Sequence, residues 1–335
     1  SSDNVARVWD AHSGKLLTTL QGHSGSLRSA SYSPDASRIV TASDDNTARV
    51  WDTYTGELLA TLKGHTGEVN SASYSPDASR IVTASEDYTA RVWDAHSEPL
   101  LTTLQGHSTL VNSASYSPDA SRIVTASNDH TAQVWDTRSD RLLTTLQGHS
   151  DHVNSASYSP DATRIVTASE DMTIRVWRVA DGAERLKLTG HTAWVRSAAF
   201  SPDGTRIASG DDAASARIWD VTTGAELLQL KGHSVRIYAV SWSPDSKHIA
   251  YTDTDYNLWF INVESGQPKK VDTERYAHPN RSLNPVWSPD SKWLAYAAAS
   301  DNQFRQVKVY SVARSRCTAA TRRLRAFRTS RARSP

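Results

Sequence analysis

The chain has 335 residues, of which 38% are hydrophobic and 22% are charged, and its formal net charge is +1. These values are typical of an ordinary globular protein with a large core, and no apolar run reaches the 18 residues that suggest a membrane span. The N-terminus shows no signal-peptide pattern, and the single cysteine, Cys317, excludes an internal disulfide. We therefore predict a cytoplasmic protein with no membrane segment.

A repeat of 42 residues organises most of the chain. Each copy contains a Gly-His pair, then Ser-Pro-Asp, and the first five copies end at a Trp. A fixed period found in this way takes priority over any division of the chain by length alone. The Gly-His pairs begin at positions 22, 64, 106, 148, 190 and 232, and Ser-Pro-Asp begins at 33, 75, 117, 159, 201 and 243, and again at 288.

Each repeat contains four short segments typical of β-strands. In the second repeat they are residues 69–75, 80–85, 89–93 and 99–104, which are rich in β-branched residues or alternate in polarity. Turn residues such as Ser-Pro-Asp-Ala and Glu-Asp-Tyr separate them. No helical period lies between the strands, so we predict hairpin connections and antiparallel sheets.

The repeat resembles the WD-repeat family over residues 1–263, because its period, its Gly-His and its Trp-Asp match that family's pattern. The resemblance implies an all-β fold, a β-propeller with one four-stranded antiparallel blade per repeat. Residues 240–312, including NPVWSPDSKWLAYA, are more similar to the propeller repeats of tricorn-type peptidases and Tol-type periplasmic proteins. Both resemblances imply blades, so the predicted fold is the same.

Counting the strands predicts seven blades in a single domain, residues 1–312. The last blade lacks a fourth strand, and we expect the N-terminal strands within residues 5–20 to complete it. Pairing the two chain ends in this way would remove exposed edges and favour a monomer. Residues 5–9 and residues 305–310 would then be alternatives for one strand position in the last blade. Because the chain starts in mid-pattern and without Met, we expect it to be part of a longer protein.

Residues 313–335 form a basic tail with eight Arg and no acidic residue. Since the whole chain carries +1, removing those eight positive charges leaves −7 for residues 1–312. We expect the tail to be disordered. Contact with nucleic acid or another acidic partner is one alternative, and a shifted reading frame is another. Nucleic-acid binding is not expected elsewhere in the chain.

Four residue types, His, Thr, Asp and Trp, recur without change in the first four repeats. The resemblance to WD-repeat proteins implies that they form one hydrogen-bonded tetrad per blade, in which each buried polar group finds a partner. A catalytic Thr-His-Asp site is disfavoured, because such a site is normally single. We predict structural tetrads, no catalytic residue and no cofactor. The tetrads are His23, Thr41, Asp45, Trp51; His65, Thr83, Asp87, Trp93; His107, Thr125, Asp129, Trp135; and His149, Thr167, Asp171, Trp177.

Later repeats depart from this pattern. In the fifth, Ala213 stands where the Asp is expected, and Asp212 lies one residue before it. In the sixth, Tyr251 and Ile261 replace the hydroxyl residue and the Trp. We expect these two blades to be less rigid. The fifth repeat keeps the other three members as His191, Ser209 and Trp219.

Three positions in each repeat vary although their neighbours are constant: the residue before the first strand, the second residue of that strand, and the residue before the tetrad Asp. The resemblance implies that they ring the channel mouth, the usual partner-binding face. Neutral drift on exposed loops is the alternative. Trp and Arg at these positions favour binding, because they anchor many interfaces. The predicted partner-binding residues are Arg28, Glu68, Asn70, Leu110, Asn112, His152, Asn154, Trp194, Arg196, Arg236 and Tyr238, and the third ring is Asp44, Glu86, Asn128, Glu170, Asp212 and Thr254.

These patterns predict a non-catalytic scaffold that presents a composite loop surface to a protein or peptide. The alternative is the propeller portion of a larger tricorn-like peptidase, or of a multidomain signalling protein, whose catalytic domain lies outside this chain. No metal site is predicted. His130 and His152 share the variable face, but two His without a nearby carboxylate make a poor metal site.

Overall fold

The computed structural model describes the chain as a succession of antiparallel sheets. The part of the chain that it describes contains thirty strands and no helix, and thus no helix that could cross a membrane. The described residues are 4–9, 16–97, 99–230, 237–253, 257–266, 268–273, 286–287, 291, 293–299, 305–311 and 316–319.

Strands β3 to β26 form six consecutive four-stranded sheets, each with its strands in chain order. We call them the first to the sixth sheet. The first is β3 (Leu27–Tyr32), β4 (Arg38–Ser43), β5 (Ala48–Asp52) and β6 (Leu58–Leu62); the second is β7 (Val69–Tyr74), β8 (Arg80–Ser85), β9 (Thr89–Asp94) and β10 (Leu100–Gln105); the third is β11 (Val111–Tyr116), β12 (Arg122–Ser127), β13 (Thr131–Asp136) and β14 (Leu142–Gln147). The fourth is β15 (Val153–Tyr158), β16 (Arg164–Ser169), β17 (Ile174–Arg178) and β18 (Glu184–Leu188); the fifth is β19 (Val195–Phe200), β20 (Arg206–Asp211), β21 (Ala216–Asp220) and β22 (Glu226–Leu230); the sixth is β23 (Ile237–Trp242), β24 (His248–Asp253), β25 (Asn257–Asn262) and β26 (Pro268–Thr273).

The chain ends form two further sheets. The N-terminal hairpin consists of β1 and β2, and the last sheet contains four strands. Their bounds are β1 (Val5–Trp9), β2 (Leu16–Gln21), β27 (Val286–Trp287), β28 (Trp293–Ala299), β29 (Arg305–Ser311) and β30 (Arg316–Ala319).

The core lies between successive sheets rather than within any one of them. The second strand of each of the first five sheets is buried along almost its whole length, which explains why RIVTAS reads as a continuous apolar and small-residue run. β7, for example, packs against both β3 and β4 of the preceding sheet. In the resulting cluster, Val40 and Val50 of the first sheet meet Ile81 and Trp93 of the second. A single repeat could not bury these faces alone, so each sheet depends on its neighbours.

The pairing at the chain ends corrects the expected strand composition of the last sheet. β2 pairs with β1, not with the last sheet, and this hairpin buries Val8 and Leu20 against Ile39 and Trp51 of the first sheet. The fourth strand of the last sheet is β30, so residues 316–319 belong to a sheet and not to a disordered tail. Residues 5–9 and 305–310 therefore do not compete, because they lie in different sheets. Pairing strands that are close in sequence loses less chain entropy than joining the two ends. The closed ring and the monomer remain predictions.

Candidate functional site

The variable residues gather at one end of the sheets, which we call the variable face. At this end the first strand of a sheet begins, the second strand ends and a tight turn leads into the third. Backbone hydrogen bonds tie the first and third variable positions together, since the Glu86 N–H donates to the Glu68 carbonyl (2.9 Å) and the Asp212 N–H to the Trp194 carbonyl (3.0 Å). The opposite end of each sheet, which carries Tyr54, His96 and Arg138, is the opposite face.

Each of the first four sheets holds its His, Thr, Asp and Trp in one hydrogen-bonded chain just below the variable face. In the second sheet, His65 Nδ1 lies 2.8 Å from Asp87 Oδ2, and His65 Nε2 lies 2.7 Å from Thr83 Oγ1. The Trp93 indole N–H donates to the same Thr83 hydroxyl at 2.9 Å. The other three sheets show the same bonds. Each tetrad therefore ties the loop before a sheet to its second and third strands.

The charge states of the tetrad side chains fit a structural role rather than a catalytic one. Burial lowers the pKa of His65, although Asp87 opposes the shift. Burial alone would raise the pKa of Asp87, but hydrogen bonds from Thr89 and the nearby His65 hold it below its usual value. Thr83 has 0% of its surface exposed. A neutral imidazole and an ionised carboxylate are thus paired around a hydroxyl that no reactant can reach in the folded sheet.

The fifth sheet keeps a complete tetrad through a residue that the sequence comparison did not select. Asp211, at the end of β20, lies 2.6 Å from His191 Nδ1, and His191 Nε2 lies 2.7 Å from the Ser209 hydroxyl. Asp211 also accepts hydrogen bonds from the Ala213 and Ser215 backbone N–H groups, at 2.9 and 2.8 Å. The expectation that this sheet lacks its acidic member is corrected.

The second variable position of each sheet is a β-bulge. The register between the first and second strands shifts on either side of it, between Leu27 and Ser29 in the first sheet and between Val195 and Ser197 in the fifth. A bulge adds one unpaired residue and redirects its side chain, which explains why this position is free to differ between repeats. The bulged residues are Arg28, Asn70, Asn112, Asn154, Arg196 and, in β23, Tyr238.

The three bulged Asn side chains bridge neighbouring sheets. Asn70 Nδ2 donates to the Val111 carbonyl at 3.1 Å, Asn112 Nδ2 to the Val153 carbonyl at 2.9 Å, and Asn154 Nδ2 to the Val195 carbonyl at 3.0 Å. Each acceptor belongs to the first strand of the next sheet. These amides, predicted as partner contacts, therefore hold the sheets together.

Acidic residues crowd the variable face of the first two sheets. Arg28 bridges them, because its guanidinium binds both Asp44 in its own sheet and Glu68 before the next. Glu86 lies close to this group, and burial together with the negative charges of Glu68 and Asp44 raises its pKa, whereas Arg28 opposes the shift. The single positive charge of Arg28 therefore neutralises only part of the negative charge of three neighbouring carboxylates.

An exposed aromatic and a shallow pocket mark the junction of the fourth and fifth sheets. Trp194 is 43% exposed, and the Arg196 guanidinium lies 4.9 Å from the centre of its ring. Asp212 accepts two hydrogen bonds from Arg196, at 2.7 and 2.9 Å, and Glu170 accepts one at 3.0 Å. These bonds hold the cation in place beside Trp194. A pocket of about 300 Å³ is lined by Met172, Thr192, Ala193, Trp194 and Asp212.

A fourth variable position went unrecognised in the sequence, the residue directly after the turn Asp. Its backbone is left-handed in each of the first five sheets, with φ of 71° at Tyr88, 69° at His130 and 64° at Met172. This conformation is uncommon for bulky residues, yet Tyr88 and Met172 are 49% and 43% exposed. The signal available in the sequence was the variation at this turn position, which includes the large residues Tyr88 and Met172. The set is Asn46, Tyr88, His130, Met172 and Ala214.

The remaining predicted residues are placed as follows. Leu110 and His152 precede the first strands of the third and fourth sheets, on the variable face. Arg236 and Thr254 lie outside the described residues. Asp151, which was not selected from the sequence, brings a carboxylate next to His130 and His152.

Six consecutive segments of the chain match the family model described as WD domain, G-beta repeat. The sixth match includes residues 240–259, the first part of the region that was likened to tricorn-type propellers. No curated protein matches the chain. The matched segments are residues 14–52, 56–94, 98–136, 140–178, 182–220 and 224–259.

Proposed function

Because the chain belongs to the WD40 repeat family, whose repeats generally mediate protein–protein interaction, we propose that its variable face binds a protein or peptide segment carrying apolar and basic side chains. The observation that carries the proposal is the exposed Trp194 beside the Met172 pocket.

The pocket supplies an apolar anchor point. Trp194 and Met172 each leave 43% of their surface exposed, and both side chains line the same depression. Interfaces concentrate their binding energy in a few aromatic and Arg residues that sit in well-packed pockets. Arg196 is engaged by Asp212 and Glu170, so its role is to hold Trp194 in place through the cation–π contact. An apolar side chain of the partner would cover this Trp and Met pair.

The negative charge of the variable face favours a partner with basic side chains. At the described variable positions, five carboxylates face only two guanidinium groups. A partner rich in Lys or Arg would relieve this excess, and such complementarity mainly sets specificity and association rate. The carboxylates are Asp44, Glu68, Glu86, Glu170 and Asp212, and the guanidinium groups are those of Arg28 and Arg196.

The same geometry supports a role without catalysis. The Thr, His and Asp groups that resemble a triad are enclosed within the sheets, and their hydroxyls are 0% exposed at Thr41, Thr83 and Thr125. A nucleophile must reach its substrate, and these enclosed hydroxyls cannot. Here each hydroxyl already accepts from a Trp indole, as Thr83 does from Trp93.

Peptide selection on the intact chain tests the proposal. A displayed random-peptide library panned on immobilised protein is expected to yield peptides with an aromatic or aliphatic residue next to Lys or Arg. Their binding should fall on Trp194→Ala, and on the double change Glu68→Gln and Glu86→Gln, and should weaken as salt rises. Tyr54→Ala, on the opposite face, is the matched control. Peptides that lose binding on Tyr54→Ala but keep it on Trp194→Ala would contradict the proposal.

A further inference from the structure

We propose that His130, Asp151 and His152 form a binding site for a divalent transition-metal ion, with zinc as its natural class of ligand. Their metal-ligating atoms all lie within 4.8 Å of one another. The site joins two repeats, because His130 lies in the turn between β12 and β13 of the third sheet, whereas the other two residues directly precede β15 of the fourth.

The donor set fits this class of ion. Two imidazoles and one carboxylate are typical ligands of zinc, whereas magnesium and calcium prefer oxygen donors alone. Zinc binds imidazole nitrogen at about 2.0–2.1 Å, so its ligand atoms lie about 3.4 Å apart when the geometry is tetrahedral. The two imidazole rings are already 5.7 Å apart, centre to centre. His130 is exposed, so rotation of its side chain can bring the donors to that spacing.

The supporting structure around two of the donors is well anchored. The His152 carbonyl accepts the Glu170 N–H at 2.9 Å, and the Asp151 carbonyl accepts the Ser169 hydroxyl at 3.1 Å. Asp151 Oδ1 accepts the His152 backbone N–H at 2.8 Å, which orients the carboxylate and leaves Oδ2 for the ion. These bonds tie the loop to the end of β16.

A second carboxylate lies beside His152 and could orient its ring when a metal binds. Glu170 Oε2 lies 3.5 Å from His152 Nδ1, which is longer than a hydrogen bond, and Glu170 is itself fixed by Arg196 at 3.0 Å. A carboxylate that accepts a hydrogen bond from a metal-binding imidazole orients the ring, and its loss commonly costs about tenfold to a hundredfold in metal affinity, so metal binding would require this distance to shorten. His130, Asp151 and His152 would therefore bind the ion directly, and Glu170 would support His152.

His130 is held at its place by the tetrad of the third sheet. The preceding residue, Asp129, accepts the Thr131 backbone N–H at 3.0 Å and lies 2.7 Å from His107 Nδ1. The backbone of His130 is left-handed, with φ of 69°, and the residue is exposed.

Titration of the intact chain with zinc tests the site. Isothermal calorimetry with Zn²⁺ is expected to show a saturable site that Mg²⁺ does not fill, and Zn²⁺ should raise the melting temperature. His130→Ala and His152→Ala should each weaken Zn²⁺ binding at least about tenfold. Substitution with Co²⁺ should give visible absorption bands of a low-coordinate site, which either variant removes.

His96→Ala is the matched control, since His96 is an exposed histidine on the opposite face. It should bind Zn²⁺ as the parent does. Circular dichroism of each variant verifies that it is folded, and Asp151→Asn provides a third variant that changes no side-chain size. Zn²⁺ binding that is absent in the parent, or unchanged in the folded His130→Ala and His152→Ala variants, would overturn the proposal.

Discussion

Asp211 lies 2.6 Å from Nδ1 of His191, although it occupies the position that is Ser43, Ser85 and Ser127 in other sheets. The acidic member of the fifth tetrad has thus moved two residues along the chain while its hydrogen bonds are preserved. Asp211 is fully buried and accepts from three donors. We predict that Asp211→Ala lowers the free energy of unfolding by about 3 kcal/mol or more, because three donors, two of them in the buried residues His191 and Ser215, lose their acceptor.

The other repeats provide the matched rescue for this variant. The double change Asp211→Ser and Ala213→Asp recreates the arrangement of Ser85 and Asp87 in the second sheet, and should recover most of the lost stability. Urea denaturation of the parent and both variants measures the difference. Equal midpoints for the parent and Asp211→Ala would show that Asp211 does not support the sheet.

The Thr83 hydroxyl is predicted to be structural. Thr83→Val keeps the shape of the side chain but removes the acceptor of the Trp93 indole and the partner of His65. We expect a loss of about 1–3 kcal/mol in the free energy of unfolding, and His65→Ala should act in the same direction. Hydrolysis of ester and peptide substrates should be absent from the parent. A reproducible rate abolished by either substitution would contradict the structural role.

Acid should destabilise the protein in two stages. Burial lowers the pKa values of His23 and His65 from 6.5, so the unfolded chain takes up these protons first and stability falls as the pH drops below about 6.5. The pKa values of Asp45 and Asp87 are below 3.8, because hydrogen bonds outweigh their burial. A second loss should therefore begin as the pH falls past 3.8 towards those lower values.

Urea midpoints across this pH range check both stages. His65→Ala should reduce the slope of the first stage. A midpoint that stays constant down to pH 3.8 would contradict the expected histidine contribution.

Trp194→Ala should weaken binding of a partner peptide about thirtyfold, which corresponds to about 2 kcal/mol for a central interface aromatic. The melting temperature should hardly change, because the side chain is 43% exposed and belongs to no tetrad. Titration calorimetry with a selected peptide measures the loss. Tyr54→Ala, His96→Ala and Arg138→Ala serve as controls on the opposite face. If those controls lose binding and Trp194→Ala does not, the partner uses the other end of the sheets.

We predict that the left-handed backbone of Met172 lowers the free energy of unfolding. Its φ of 64° is one that Asn tolerates better than Met, and Asn46 occupies the same turn position in the first sheet with a φ of 65°. Met172→Asn should therefore raise the free energy of unfolding by about 0.5–1 kcal/mol while weakening peptide binding at the Trp194 pocket. Asn46→Met is the reverse control and should destabilise. A loss of stability in Met172→Asn, or a gain of stability in Asn46→Met, would refute the strain argument.

The sequence by itself determined the features that lie within one repeat. The 42-residue period, the four strands and the tetrad members of the first four sheets could be predicted from it, because His65 meets Thr83 and Asp87 only 18 and 22 residues away. The first four copies show the same residues at the same separation, so these repeats act as controls for one another. The three variable positions were also visible, because they change against a constant background.

Only the tertiary structure shows the contacts between repeats and the change of acidic residue in the fifth tetrad. The bridge from Asn112 to the Val153 carbonyl, the contact of Arg196 with Glu170, and the meeting of His130 with His152 all join side chains of different sheets. No residue type marks such pairs, because they depend on how far apart two sheets pack. Asp211 replaced the turn Asp because its carboxylate reaches the same point in space. The strands at the chain ends paired locally because a short loop costs less entropy than joining distant ends.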